Sequence, residues 1–186
     1  MITPDTKDWT WVLERPCAEC GLDTSAIPFE AVPALIRGNG RFWAELLAEG
    51  EADGEGGDGR GLRERPAPEV WSPLEYACHV RDVFRTIEGR LLLMLAEDDP
   101  VFPDWDQDAT AVEDRYREQD PAAVAAEVGA AAERLARAYE GVPDAGRERT
   151  GERSDGARFT VASLGRYVFH DVDHHRYDVT GGQQKD

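Results

Sequence analysis

At 186 residues the chain has the length of one domain, enough to bury a core without disulfides. Its 38 Asp and Glu outweigh 21 Lys and Arg, and a net charge of -17 repels phosphate backbones and anionic lipid headgroups, which argues against nucleic acid and membrane partners. No window approaches the roughly 18 to 20 apolar residues that span a bilayer, Met1 to Trp11 lacks the basic and apolar regions of a leader, and three cysteines (Cys17, Cys20, Cys78) cannot make a paired disulfide framework, so a reduced, cytoplasmic setting is expected.

The first 27 residues read as an N-terminal extension. It carries Cys17-x-x-Cys20, which suits a redox pair, half of a zinc site or two buried small hydrophobes, and there is no second CxxC to complete a zinc site. The cysteines are expected to be dispensable for the main site, and Trp9, Trp11 and Trp105 to cover one end of the domain. Phe29 to about Glu49 has apolar residues at helical spacing, with Gly38 and Gly40 weakening the middle. Gly50 to Arg65 is glycine-rich, charged and without periodicity, and reads as a solvated, disordered loop.

Ser72-Pro73 supplies an N-cap and a first-turn proline for a second helix running to about Glu97. Asp98 to Gln119, with two prolines and two acidic clusters, reads as a long connection. Asp120-Pro121 opens a third helix ending near Tyr139. Ser154-Asp155-Gly156 signals a turn closing a small hairpin, and Thr160 caps a fourth helix to about Val179, ended by Gly181-Gly182. The expected fold is all-α, a four-helix bundle over residues 28–180 with long connections and a short tail, 181–186, a fold that places ligands between facing helices.

All four histidines lie in two of these helices: His79 in the second, His170, His174 and His175 in the fourth. Residues four apart share a helix face, so His170/His174 and Asp171/His175 are competing chelating pairs. Turning about 100° per residue puts His175 in the stripe of Val161, Leu164, Val168, Val172 and Val179, with Asp171 at its edge. The same turn sets His170 nearly opposite, toward solvent, and His174 between. His79, Asp171 and His175 are therefore the favoured metal ligands, with His170 and His174 as the alternative register. The competing structural reading is a set of hydrogen-bonded core histidines, or cations suited to the helix C-terminus. Asp82 and Asp178 are candidates for orienting the imidazoles.

Trp71-Ser72-Pro73-Leu74-Glu75-Tyr76-Ala77-Cys78-His79-Val80, followed by Asp171-Val172-Asp173-His174-His175-Arg176-Tyr177-Asp178, resembles the DinB-like superfamily, including its mycothiol-dependent maleylpyruvate isomerase branch. The resemblance covers roughly Phe29 to Val179 and implies a four-helix bundle holding zinc or nickel through a His of the second helix and a His/Glu-x-x-x-His pair of the fourth. The branch motif maps onto Asp171, His175, Arg176, Tyr177 and Asp178, with Asp171 standing where the branch usually has Glu. Three protein ligands leave a coordination position open, the arrangement of a catalytic metal. The function so implied is activation of a mycothiol-like thiol or water for S-transfer, isomerisation or hydrolysis, with His174 as a spare general base. Arg176 is the candidate for cofactor binding, and Arg81, Arg85 or Arg176 for a substrate carboxylate. The expected partners are a small thiol and a small substrate, with a homodimer left open. The rival is a non-enzymatic metal-binding protein of stress response or assembly. No nucleotide-binding glycine loop, G-x-S-x-G elbow or H-E-x-x-H motif is present.

Overall fold

A computed structural model describes residues 8–52 and 61–181, with the side chains of 51 and 52 outside that description. Four long helices make the bundle: α1 (Val32–Ala52), α2 (Pro73–Ala96), α4 (Pro121–Glu140) and α5 (Val161–Thr180). α4 packs on both α1 and α2, and α5 lies against the same two helices. The connection between α2 and α4 is not featureless, since it holds a short helix α3 (Gln107–Glu113) and a 3-10 turn at Tyr116–Glu118. Asp106 starts α3 by accepting hydrogen bonds from the amides of Asp108 and Ala109 at 3.0 and 2.9 Å.

The strongest start signals act as expected. Ser72 and Glu75 form a reciprocal capping box at α2, with Pro73 in the first turn. Thr160 and Ser163 do the same for α5, which ends where Gly181 takes a left-handed φ of 62°. α1 runs straight through its glycines because Gly40 is a contact point: a Cβ there would collide with that of Ala132 on α4. Most of the glycine-rich stretch after α1, residues 53–60, lies outside the described residues, as do Met1 to Lys7 and the tail from Gly182.

The expected hairpin is present, β1 (Thr150–Glu152) pairing antiparallel with β2 (Arg158–Thr160), Thr150 opposite Thr160. It sits at the C-terminal end of α2, where Arg149 donates to the Glu97 carbonyl at 2.6 Å. α5 therefore starts beside the end of α2 and runs back along it, bringing Asp171 and His175 to His79. The N-terminal segment packs on α5 through 3-10 turns at Thr10–Leu13 and Thr24–Ala26. It is pinned there by Arg166, whose Nε donates to the Ile27 carbonyl at 3.0 Å. No helix among the described residues is long and apolar enough to cross a membrane.

Candidate functional site

α2 and α5 bring His79, Asp171 and His175 together, with one ligand atom from each within 4.8 Å of the others. His79 Nε2 is 4.0 Å from Asp171 Oδ2, His175 Nε2 is 3.9 Å from Asp171 Oδ1, and the two imidazoles meet edge to face at 4.9 Å between centroids. His79 is 0% exposed, and both of its ring nitrogens are buried without a hydrogen-bond partner. Burial, with the nearby His175 adding to it, holds the His79 imidazole well below its ordinary pKa, so it is neutral and has a lone pair to give. An unpartnered buried ring is costly, and two imidazoles with one carboxylate are a donor set that fits a divalent ion.

The cluster opens on a cleft of about 770 Å³. Trp105 stacks flat on His79 at 5.8 Å, Trp71 packs beside it at 4.9 Å, and Tyr76 lies 5.1 Å from the His175 ring. Trp9 and Trp105 both line the cleft, as expected of covering tryptophans, while Trp11 stacks behind Trp9 at 5.7 Å.

The other pair on α5 departs from the helical-wheel expectation. His170 does not face solvent; it is 3% exposed, and burial, with His174 and His175 adding, lowers its pKa to about 4. The reason is the N-terminal segment, which covers that face of α5 and brings Cys17 and Cys20 to His170 and His174. One ligand atom from each of these four buried residues lies within 4.8 Å of the others. The structure thus places the two pairs on α5 in different clusters. His174 is also poorly placed as a spare base, because both its nitrogens have partners: Nδ1 is 3.7 Å from Cys17 Sγ, and Nε2 is 3.4 Å from Glu19 and 3.7 Å from Asp178.

Asp178 stands between the clusters, with Oδ1 toward His174 and Oδ2 3.4 Å from His175 Nδ1. Asp82 has no such role, since it pairs with Arg81 and Arg85 and accepts from the Tyr116 hydroxyl at 2.7 Å. The expected anion-binding arginines are likewise engaged elsewhere. Arg81 and Arg85 both pair with Asp82 and Glu127, and Arg176 pairs with Asp173 and lies over Phe42 on the α1 side. Arg90 and Arg153 are the arginines that line the cleft, Arg153 paired with Asp155 at 2.6 Å and donating to the Tyr167 hydroxyl at 3.1 Å. No sequence signal marks them, because Arg90 lies on the far half of α2 and Arg153 comes from the hairpin.

The family model of the DinB superfamily matches residues 57–178, more than half of the chain and all of α2 and most of α5. The chain belongs to the DinB superfamily. Among curated proteins none matches it. Among solved structures this DinB-superfamily chain is similar to YfiT from Bacillus subtilis, described as a probable metal-dependent hydrolase with an unusual four-helix bundle topology. The TM-score is 0.63 at 21% identity, over 82% of this chain and 80% of that one, a likeness of fold.

Proposed function

We propose that this chain is a metal-dependent enzyme in which His79, Asp171 and His175 hold one divalent ion, zinc or nickel, at the floor of the cleft. The observation that carries this reading is His79: a fully buried neutral imidazole with no hydrogen-bond partner, facing an acid and a histidine on the opposite helix beside an open cavity. A divalent ion there supplies Lewis-acid chemistry, lowering the pKa of a bound water or thiol toward neutrality. The reactions this supports are hydrolysis, or S-transfer and isomerisation with a mycothiol-like thiol. The description of YfiT as a probable metal-dependent hydrolase favours the same class of chemistry.

The chain's own groups divide the remaining work. His79 and His175 supply neutral donors and Asp171 a negative one. Asp178 orients His175 through Nδ1. Trp71 and Trp105 keep bulk water from the buried imidazole. Arg90 and Arg153, with the Tyr167 hydroxyl, receive the anionic end of a small substrate, the role the sequence suggested for other arginines. A non-enzymatic binder needs no cavity beside its ion, and here two of the three donors, Asp171 and His175, line a large one.

The test is to load the protein with zinc or nickel and screen ester and amide hydrolysis, with and without a low-molecular-weight thiol. Turnover that disappears in His79→Ala and His175→Ala together with the ion is the expected result. Wild-type metal content in both variants would sink the reading.

A further inference from the structure

The N-terminal cysteines and the first two histidines of α5 form a cluster that the DinB-type site does not use. Cys17, Cys20, His170 and His174 are all buried, and each offers a ligand atom within 4.8 Å of the other three. We propose that these four residues bind a second ion, a structural zinc, which fastens the N-terminal segment to α5 and so builds one wall of the cleft.

The donor set and its spacing are those of a closed tetrahedral site. Two cysteines three apart and two histidines four apart are a Cys2His2 complement, and thiolates with imidazoles select zinc. Zinc–sulfur bonds of about 2.3 Å and zinc–nitrogen bonds of about 2.0 to 2.1 Å place tetrahedral ligand atoms roughly 3.3 to 3.8 Å apart. Cys17 Sγ and His174 Nδ1 are 3.7 Å apart. His170 Nε2 is buried without a partner, in a residue 3% exposed. The opposite nitrogen of His174, Nε2, faces Glu19 and Asp178 at 3.4 and 3.7 Å, the carboxylate support that metal-bound histidines ordinarily have. Glu19 belongs to the same Cys17–Cys20 loop, which is closed by the Cys17 amide donating to Leu22 and the Gly21 amide to Cys17, both at 2.9 Å.

Charge favours this occupant in a buried place. One divalent ion replaces the two thiol protons, and with two thiolates and two neutral imidazoles the site is neutral overall, so burying it carries no net charge. The site is also mechanically connected. Trp9 packs against both histidine rings, at 5.6 Å from His170 and 5.2 Å from His174, and lines the cleft. Releasing the cysteines would free the segment that carries Trp9.

Elemental analysis of the full chain, prepared with zinc, should give two ions. Cys17→Ser with Cys20→Ser should keep one, and His79→Ala with His175→Ala should also keep one. Cobalt(II) in place of zinc should show a thiolate-to-cobalt charge-transfer band in the unmutated protein and in His79→Ala/His175→Ala. That spectrum decides the matter even if the serine variant does not fold, because it needs no change at the cysteines. A cobalt form without the band overturns the proposal, as does a folded serine variant with the full ion count. A single ion with the band present would uphold this site and count against the three-residue site, so the two readings fail separately.

Discussion

Two pairs of residues, one step out of register with each other, put donors on neighbouring strips of α5. His170 and His174 face the N-terminal segment, where two cysteines complete a buried set of four. Asp171 and His175 face α2, where His79 makes a set of three beside a large cleft. On the two proposed readings, the same helix offers a closed site with four protein donors and an open site with three, both pairs of α5 donors bordering the same cleft. A closed set leaves an ion nothing to exchange and serves structure, whereas an open set leaves a position for a substrate or a nucleophile. His170, Asp171, His174 and His175 are therefore better understood as two interleaved pairs than as a surplus of ligands.

Removing an open-site donor gives the largest expected effect on turnover. His175 is half-buried at the edge of the cleft, so His175→Ala should leave the fold intact while kcat/KM falls by at least about 100-fold, some 2.7 kcal/mol of transition-state stabilisation. Steady-state kinetics beside a thermal melt check this, and a comparable loss in thermal stability would erase the contrast between the sites. The closed site should show the reverse pattern. A ligand held at about a thousand times its dissociation constant stabilises the native state by about 4 kcal/mol. For a chain of this length that corresponds to a fall in Tm of roughly 8 to 16 °C on stripping the ion with Cys17→Ser/Cys20→Ser. Limited proteolysis should then cut first in the segment before α1, and an unchanged melt would break the comparison.

How far this division was legible in the sequence follows from where each partner lies. His79, Asp171 and His175 are each on a long helix with a clear cap, so helix phase alone brings them to facing sides, and the structure groups them. His170 defeated the same argument because a helical wheel knows only the apolar stripe of its own helix. The burial of His170 comes from residues about 150 positions away, folded as short 3-10 turns with no periodicity to announce them. A CxxC and an HxxxH are each half of a zinc complement, and joining them was the available signal. α3 was missed for a smaller reason: prolines and acids dominate its surroundings, although Asp106 before Gln107-Asp108-Ala109 is an ordinary N-cap.

The proposed receipt of an anionic group by Arg90 and Arg153 separates the open site from the closed one in a third way, through substrate rather than metal. Arg153 reaches the cleft from the hairpin, paired with Asp155 and donating to Tyr167, at residues in neither donor set. Hydrogen bonds to charged groups are worth about 1.5 to 3 kcal/mol. Arg153→Gln should then raise KM for an anionic substrate by about 10 to 100-fold. Metal content should be unchanged, and a neutral analogue should be affected little. Equal effects on charged and neutral substrates would mean that Arg153 holds the hairpin rather than the ligand.

The sharpest test of whether the two sites are independent is Asp178, because this carboxylate faces a histidine of each. Its Oδ2 is 3.4 Å from His175 Nδ1 and its Oδ1 is 3.7 Å from His174 Nε2. Both contacts are long, and His174 has Glu19 as a second, closer carboxylate at 3.4 Å. Loss of an orienting carboxylate ordinarily weakens a metal site by about 10 to 100-fold. Asp178→Asn should therefore fall near the low end, about tenfold, at the open site, where Asp178 faces the second nitrogen of His175. At the closed site the change should be smaller, since Glu19 still supports His174. Competition with a chelator, following the cobalt thiolate band for the closed site and turnover for the open one, separates the two affinities in a single protein. Equal weakening at both would show that Asp178 couples them and that the closed ion helps set the geometry of the open one. Weakening of the closed site alone would reverse the assignment of this carboxylate.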